Sequence, residues 1–211
     1  MNDLFRQQLC KYVLVFFDDI LIYSLTGAEH FSHLHTVFGL LHAHRPVFKR
    51  SKCSFRRKEF LYLGHIIHQT GVSVDQSKII AIQEWPKPHN IRTLRGFLGL
   101  TGYYRKFIKY YGIIAASLTG MLRRNEFTWT DNSEAAFTNL KRALSEYPVL
   151  AVLDFSHTFV VECDASGSGI GAVLQQHNHP IAFFSRKLAD RHHKLPAYER
   201  ELIGLAKAVA Y

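Results

Sequence analysis

Cysteine is scarce: Cys10, Cys53 and Cys163 are the only three in 211 residues, and they are widely spaced. An odd, scattered set makes neither a disulfide framework nor a metal-ligating pattern, and it suits an intracellular, reducing compartment, cytoplasmic or nuclear. Long apolar runs are absent as well. None approaches the roughly 18 residues of a membrane-spanning helix, and the N-terminus carries no basic-then-apolar leader, so neither a membrane nor secretion is expected. Acids are outnumbered, 17 Asp and Glu against 26 Lys and Arg, which leaves a net charge of +9. That excess favours a polyanionic partner, nucleic acid or an anionic surface. The remainder is ordinary globular composition, 47% apolar and 20% charged, with length for one or two domains.

The stretch Tyr12-Val-Leu-Val-Phe-Phe-Asp-Asp-Ile-Leu-Ile-Tyr-Ser24 sets two adjacent carboxylates between short apolar runs and predicts a β-hairpin. Because an unpaired carboxylate resists burial, Asp18 and Asp19 are expected at the exposed end, with Val13, Val15, Ile20 and Ile22 facing a core. Paired acids at a tip can hold a divalent metal; an ordinary Asp-containing turn is the plainer alternative. From Glu29 to His44, Phe31, Leu34, Val37, Phe38 and Leu41 recur at helical spacing and are expected on one buried face. His30 and His33 share a face and could ligate zinc, but nothing completes a ligand set, so a solvated face is expected.

The run Lys49 to Lys58 holds six cations in ten residues, either a phosphate-facing patch or a solvated surface. Phe60 to Ile67 is predicted as one strand whose interior Gly64 lets a backbone or ligand come close. A helix should start at Asp75 and stop near Trp85-Pro86. In Ile91 to Arg124, Gly96, Gly99 and Gly102 lie at i, i+3, i+6 and bare one stripe of a helix. The stripe could admit a facing helix, yet Arg92, Arg95, Arg105, Lys106 and Lys109 favour a sugar-phosphate strand. Asp131 and Glu134 are spaced as a capping pair for a helix running to Pro148, either a tether packed on a second domain or one more helix of the first. Then come a strand from Thr158 ending at Asp164, a small-residue turn with a second strand to Leu174, and a third strand from Ile181 to Ser185. A final helix, Pro196 to Tyr211, has Leu202, Leu205, Ala206 and Val209 on one face.

Several of these segments resemble gypsy-like LTR retrotransposon Pol polyproteins. Phe16-Phe17-Asp18-Asp19 is similar to the Tyr-x-Asp-Asp palm motif of reverse transcriptases, with Phe16 where the family usually has Tyr. Tyr62-Leu63-Gly64-His65 resembles the primer grip. Leu94 to Ile108 resembles the thumb helix that tracks the duplex minor groove. Asp164 to Leu174 and Tyr198-Glu-Arg-Glu-Leu202 resemble the ribonuclease H domain of the same elements. Gln76 and the Ala115-Ala-Ser117 segment depart from the family, which usually has Pro at those places; a looser second thumb helix is expected.

The resemblance implies an α+β (mixed α/β) fold: palm end with primer grip over 1–74, thumb over 75–126, tether over 127–157, and the N-terminal half of a ribonuclease H-like domain over 158–211. It implies RNA-directed DNA synthesis, and hydrolysis of RNA in RNA–DNA hybrids, as the parent activity. Two Mg2+ ions at each centre would be held by carboxylates, Asp18 and Asp19 at one, Asp164 and Glu201 at the other. Nucleic acid would be met by Phe16, Lys52, Tyr62, Leu63, Gly64, His65, Arg95, Gly96, Gly99, Gly102, Arg105 and Lys106. Implied partners are a primer–template or RNA–DNA hybrid, deoxynucleotides, and other Pol chains in a pairing role. The family has one more palm aspartate ahead of the segment matched by Met1 and two more beyond Glu201. The chain is thus expected to begin mid-palm and to be inactive by itself. A non-catalytic nucleic-acid-binding or pairing module is the alternative.

Overall fold

Alternation of apolar and outward residues makes the first hairpin. In the computed structural model β1 (Val13–Phe16) and β2 (Asp19–Ile22) pair antiparallel, from Val13 opposite Ile22 to Phe16 opposite Asp19. The structure describes residues 2–44, 48–55, 57–124 (backbone alone at Arg124), 126–167, 169–189, 192 and 194–211, in two units, Met1–Arg56 and Arg57–Tyr211.

In the first unit, helix α1 (Gly27–His44) opens on a reciprocal cap: the Glu29 amide donates to Thr26 Oγ1 and the Thr26 amide to Glu29 Oε2. Its buried residues Val37 and Leu41 close a small core with Phe5 and Val13, against which Val15, Ile20 and Ile22 pack as expected. Phe31 and Phe38 do not join them. They are 64% and 47% exposed, because α1 turns His30 and His33 toward the hairpin instead.

The second unit begins with a meander, β3 (Glu59–Tyr62), β4 (His65–His68) and β5 (Gly71–Val74). The single strand expected over Phe60 to Ile67 is therefore a hairpin, folded back at Leu63-Gly64. Five helices come next: α2 (Gln76–Gln83), α3 (Ile91–Tyr103), α4 (Tyr111–Ile114), α5 (Ala116–Arg124) and α6 (Asp131–Ser145). Side chains satisfy the amides that helix starts leave open. Asp75 caps α2, Asn90 and Thr93 form a capping box on α3, and Thr130 caps α6. The Asp131–Glu134 pair does not cap α6; Glu134 accepts from Trp129 Nε1 at 2.7 Å and pairs with Lys87 at 2.6 Å.

Phe137, Leu140 and Leu144 of α6 share one core with Leu94, Phe97, Leu118 and Met121 of the preceding helices, and Phe183 from the C-terminal part packs against the same core. Ala115 and Leu118 are buried in that core, which fixes α5 despite the missing proline. Each fully buried Leu or Phe there contributes about 1.5–3 kcal/mol.

The last part is an antiparallel sheet in the order β6 (Val160–Ala165), β7 (Gly169–Gln176), β8 (His179–Lys187), with α7 (Ala197–Val209) packed on β6 and β7. Leu150 pairs with Val72, and the Ala151 amide donates to the Pro180 carbonyl, so residues 150–151 bridge the two sheets. The apolar face of α7 is turned out: Leu202, Leu205 and Val209 are 66%, 41% and 70% exposed, while Gly204 is buried. Among the described residues no helix is long and apolar enough to cross a membrane. The fold is a mixed helix-and-sheet one.

Candidate functional site

The tip of the first hairpin is a two-residue turn, Phe17-Asp18. Asp18 and Asp19 are both exposed, and among the described residues neither side chain has a hydrogen-bond or ion-pair partner. Phe17 sits at φ 51°, 82% exposed, with the Phe16 ring edge-on to it at 4.8 Å. An aromatic residue in the left-handed region is strained, and such strain concentrates at functional turns. Two free carboxylates beside a strained turn can take a hard cation, for which oxygen donors are the right chemistry.

A second turn joins β3 to β4. Leu63 at φ 51° and Gly64 at φ 74° supply the two left-handed residues of a tight hairpin. The Tyr103 hydroxyl donates to the Leu63 carbonyl at 2.7 Å and the Tyr104 hydroxyl to the Gly64 carbonyl at 3.1 Å. Glycine is required at 64 twice over, for its φ and because a Cβ there would lie 2.8 Å from the Tyr104 hydroxyl. His65, next to half-buried Tyr62, stacks on Tyr103 with ring centroids 5.3 Å apart and meets Tyr104 edge-on at 5.5 Å. Burial, helped by the Lys106 ammonium, lowers His65 to a pKa of about 4, and its Nδ1 is buried without a partner. Burial first, then Tyr103 and Asp75, raises Tyr104 to about 12. Burial also lowers Lys106.

On α3, Leu94, Phe97 and Thr101 point into the core. The opposite side carries exposed Arg92, Arg95, Gly96, Gly99 and Tyr103. The three glycines are not equivalent. A Cβ on Gly99 would meet nothing within 4 Å, whereas one on Gly96 would touch the Trp85 ring and one on Gly102 the Tyr111 hydroxyl, each at 3.4 Å. The bare backbone expected along the whole stripe is therefore open to a ligand at Gly99, and the other two glycines also ease packing within the protein. Arg105 and Lys106 lie beyond α3 in a single 3-10 turn, Arg105–Phe107. Arg105 is exposed over the Tyr211 ring, and half-buried Lys106 lies over Phe107. In the first unit Lys49, Arg50 and Lys52 are exposed around the 3-10 turn Arg50–Lys52. Arg57 and Lys58 are exposed in the second unit, and Arg56 lies outside the described residues.

Asp164 lies within β6 rather than just past it, and both it and Glu201 of α7 are exposed. Both act on Cys163, whose thiol is raised by burial and then by these two carboxylates. Gly204 of α7 sits against the Cys163 sulfur and Ile170, leaving no room for a Cβ. Among the described residues no three His, Cys, Asp or Glu gather at metal-ligating distance.

Sequence reasoning missed two constellations. One is the pair of tyrosine hydroxyls on the Leu63-Gly64 turn. The other is Ser24, whose Oγ lies 2.7 Å from His33 Nδ1 and 3.2 Å from His30 Nδ1, with Tyr12 stacked on His33 at 3.8 Å. These histidines, expected on a solvated face, pin α1 to the end of β2.

Residues 1–67 match the family described as reverse transcriptase (RNA-dependent DNA polymerase), and residues 129–211 match the RNase H-like domain found in reverse transcriptase. Enzymes of both families in general depend on divalent metal. Among solved structures, the chain is similar to the foamy viral protease-reverse transcriptase in complex with RNA/DNA hybrid. Identity is 25% and the TM-score 0.89, covering 99% of this chain and 29% of that one. The same viral enzyme carrying double-stranded DNA, in the form designated dRH, superposes with a TM-score of 0.91 at 25% identity, covering 99% of this chain and 38% of that one. Fold and matches together define a reverse transcriptase segment joined to an RNase H-like one.

The retrovirus-related Pol polyprotein from transposon 297 of Drosophila melanogaster is 40% identical over 210 residues, 99% of this chain and 20% of that polyprotein. That from transposon gypsy of the same fly is 35% identical over 224 residues, 99% and 21%. An uncharacterized mitochondrial protein of Arabidopsis thaliana is 45% identical over 131 residues, 61% of this chain and 83% of that protein. The chain belongs to the retrotransposon Pol polyprotein family, as a reverse transcriptase/RNase H-like fragment. It spans about a fifth of the length of the curated polyproteins it matches.

Proposed function

We propose that the chain grips an RNA–DNA hybrid or primer–template duplex as part of a polymerase that copies RNA into DNA and removes the RNA strand. The observation that carries this is the exposed face of α3, where the open backbone at Gly99 is flanked by Arg92 and Arg95, neither of which has a hydrogen-bond or ion-pair partner among the described residues. A sugar-phosphate strand can approach such a face closely, and the guanidiniums neutralise its phosphates. The similar viral enzyme has been solved holding double-stranded DNA and RNA/DNA hybrid, which supports a nucleic-acid partner. The Tyr62 to His65 turn, held by Tyr103 and Tyr104, suits a primer grip; Phe16 and Lys52 of the first unit are proposed to meet nucleic acid as well.

Magnesium would be held by Asp18 and Asp19 at one centre and by Asp164 and Glu201 at the other. Bound there, the ions would supply activation of an attacking oxygen and stabilisation of a leaving one. The chain contributes two carboxylates at each place, where such centres draw on several, so it is proposed to bind rather than turn over by itself. Deoxynucleotides, pairing with other Pol chains, and a reducing compartment suited to three free cysteines complete the proposal.

Fluorescence anisotropy with a labelled hybrid tests it. Affinity should fall at least about tenfold between 50 and 200 mM salt, as phosphate contacts require. Absence of binding, or binding indifferent to salt, would overturn the proposal. Magnesium-dependent primer extension, lost in Asp18→Asn, would show instead that the fragment polymerises unaided.

A further inference from the structure

A cavity of about 250 Å3 lies where the 3-10 turn Arg105–Phe107, α4, β8 and the end of α7 meet. Arg105, Tyr111, Phe183, Phe184, Arg186 and Tyr211 line it. β8 is an edge strand in the order β6-β7-β8. Alternation puts Phe183 and Ser185 on one of its faces and Phe184 and Arg186 on the other, so the cavity wraps the open rim of the sheet. Ser185 is already engaged, its Oγ accepting from the Gly112 amide at 2.7 Å, which holds α4 against that rim.

Its lining joins two kinds of group. Arg105 and Arg186 are exposed guanidiniums, and among the described residues neither has an ion-pair or hydrogen-bond partner. Among the described residues no Asp or Glu side chain lines the cavity. A cavity rimmed by two guanidiniums favours an anion, and guanidinium geometry matches phosphate bidentately. Between them stand flat rings: Phe184 and Tyr211 have centroids 5.0 Å apart, and Arg105 lies 5.0 Å over the Tyr211 ring. Aromatic faces beside arginine are how single nucleotides are held without reading their sequence. The volume is below the roughly 300–1,000 Å3 of drug-sized sites, too little for a duplex.

We propose that this cavity binds one nucleotide, its base on the Phe184 and Tyr211 rings and its phosphate between Arg105 and Arg186. The nucleotide comes either free or as one unit of a single strand. The site is separate from the α3 face proposed to grip the duplex, with Arg105 at the edge of both.

The test titrates the full chain with adenosine 5′-monophosphate, ribose 5-phosphate, inorganic phosphate and a deoxyadenosine hexanucleotide, by calorimetry and by proton NMR of the tyrosine rings. The monophosphate should bind saturably, at least tenfold tighter than ribose 5-phosphate or phosphate, and should shift Tyr211 and Tyr111 ring resonances. Arg186→Gln changes an exposed side chain without partners, so its unfolding midpoint should match the parent's. It should weaken the monophosphate at least tenfold and leave hybrid affinity within twofold. Phe184→Leu should bring the monophosphate down to the affinity of ribose 5-phosphate. A hexanucleotide that outbinds the monophosphate and shares the Arg186 dependence identifies a strand as the source; equal affinity identifies the free nucleotide. The proposal fails if the monophosphate does not saturate in the millimolar range, binds no tighter than ribose 5-phosphate, leaves the tyrosine resonances unmoved, or is indifferent to Arg186→Gln. Hybrid binding measured alongside shows separately whether the duplex reading stands.

Discussion

The Tyr104 hydroxyl donates to the Gly64 carbonyl across 3.1 Å, and so ties the turn between β3 and β4 to the end of α3. The same carbonyl accepts the Asp75 amide at 3.2 Å, so it keeps one partner when the hydroxyl is removed. Tyr104→Phe is therefore expected to cost about 1 kcal/mol, the net worth of one hydrogen bond. Gly64→Ala should cost more, about 1–3 kcal/mol, because it forces a Cβ into the left-handed region and against that hydroxyl. Urea unfolding measures both. If Gly64→Ala proves no worse than Tyr104→Phe, the turn is not held as described.

His65 gives this clamp a pH dependence. Its folded pKa of about 4 lies below the ordinary 6.5, so the folded state binds fewer protons than the unfolded one. Its contribution is complete above about pH 6.5 and is lost as the pH falls toward 4. Since the ring is half exposed, the loss is discounted to about 1–2 kcal/mol. Asp154, lowered from 3.8 to about 2 by hydrogen bonds from Ser156 and His157, acts in a separate window, losing its contribution between those values. Unfolding of the parent chain and of His65→Asn at pH 7, 5.5 and 4.5 should show a shallower acid loss in the variant. Parallel curves would refute the assignment.

One substitution at two glycines should move stability in opposite directions. At Gly112 a Cβ would strike the Ser185 backbone, which cannot move aside without parting α4 from β8. Gly112→Ala is expected to cost about 1–3 kcal/mol, as overpacking does. At Gly99 a Cβ meets open space, so Gly99→Ala should gain up to about 1 kcal/mol from helix propensity. Gly99→Leu, folded as well as the parent, should weaken hybrid binding at least tenfold if a strand lies against that backbone. Thermal melts and anisotropy on the three variants decide the matter.

How much of this was legible depended on whether a local pattern had a single three-dimensional solution. The first hairpin was legible because Val13, Val15, Ile20 and Ile22 alternate, and one register alone buries all four. The end of α2 was legible because prolines 86 and 88 forbid its continuation. The turn at Leu63-Gly64 was not, since a lone glycine in an eight-residue apolar run suits a continuous strand equally well, and the usual Asn-Gly signal is missing. For α7 the apolar stripe does not mark the packed face. The smallest residue, Gly204, faces the sheet because close approach to Cys163 outweighs the larger area of Leu202 and Val209. The allegiance of α6 was open for the same reason, as an amphipathic face names no partner. The acids Asp18, Asp19, Asp164 and Glu201 are proposed from motif, and no periodicity would have singled them out.

The contact between Ser24 and its two histidines carries the last prediction. One hydroxyl proton can be donated to His33 or to His30, so when both imidazoles are neutral the other ring must donate its own Nδ1 proton to the serine oxygen. The three side chains then interlock through defined tautomers, and Tyr12 stacked on His33 closes the group. Since α1 buries just Val37 and Leu41 fully, these polar contacts carry an unusual share of its attachment to the hairpin. Ser24→Ala should loosen the first turns of α1, raising amide exchange over residues 27–33 by about tenfold, a loss near 1.4 kcal/mol, with the 57–211 unit unchanged. His33→Phe keeps the stack on Tyr12 but not the hydrogen bond, and should fall between the parent and Ser24→Ala. Unchanged exchange in both variants would mean that the apolar contacts hold the helix unaided.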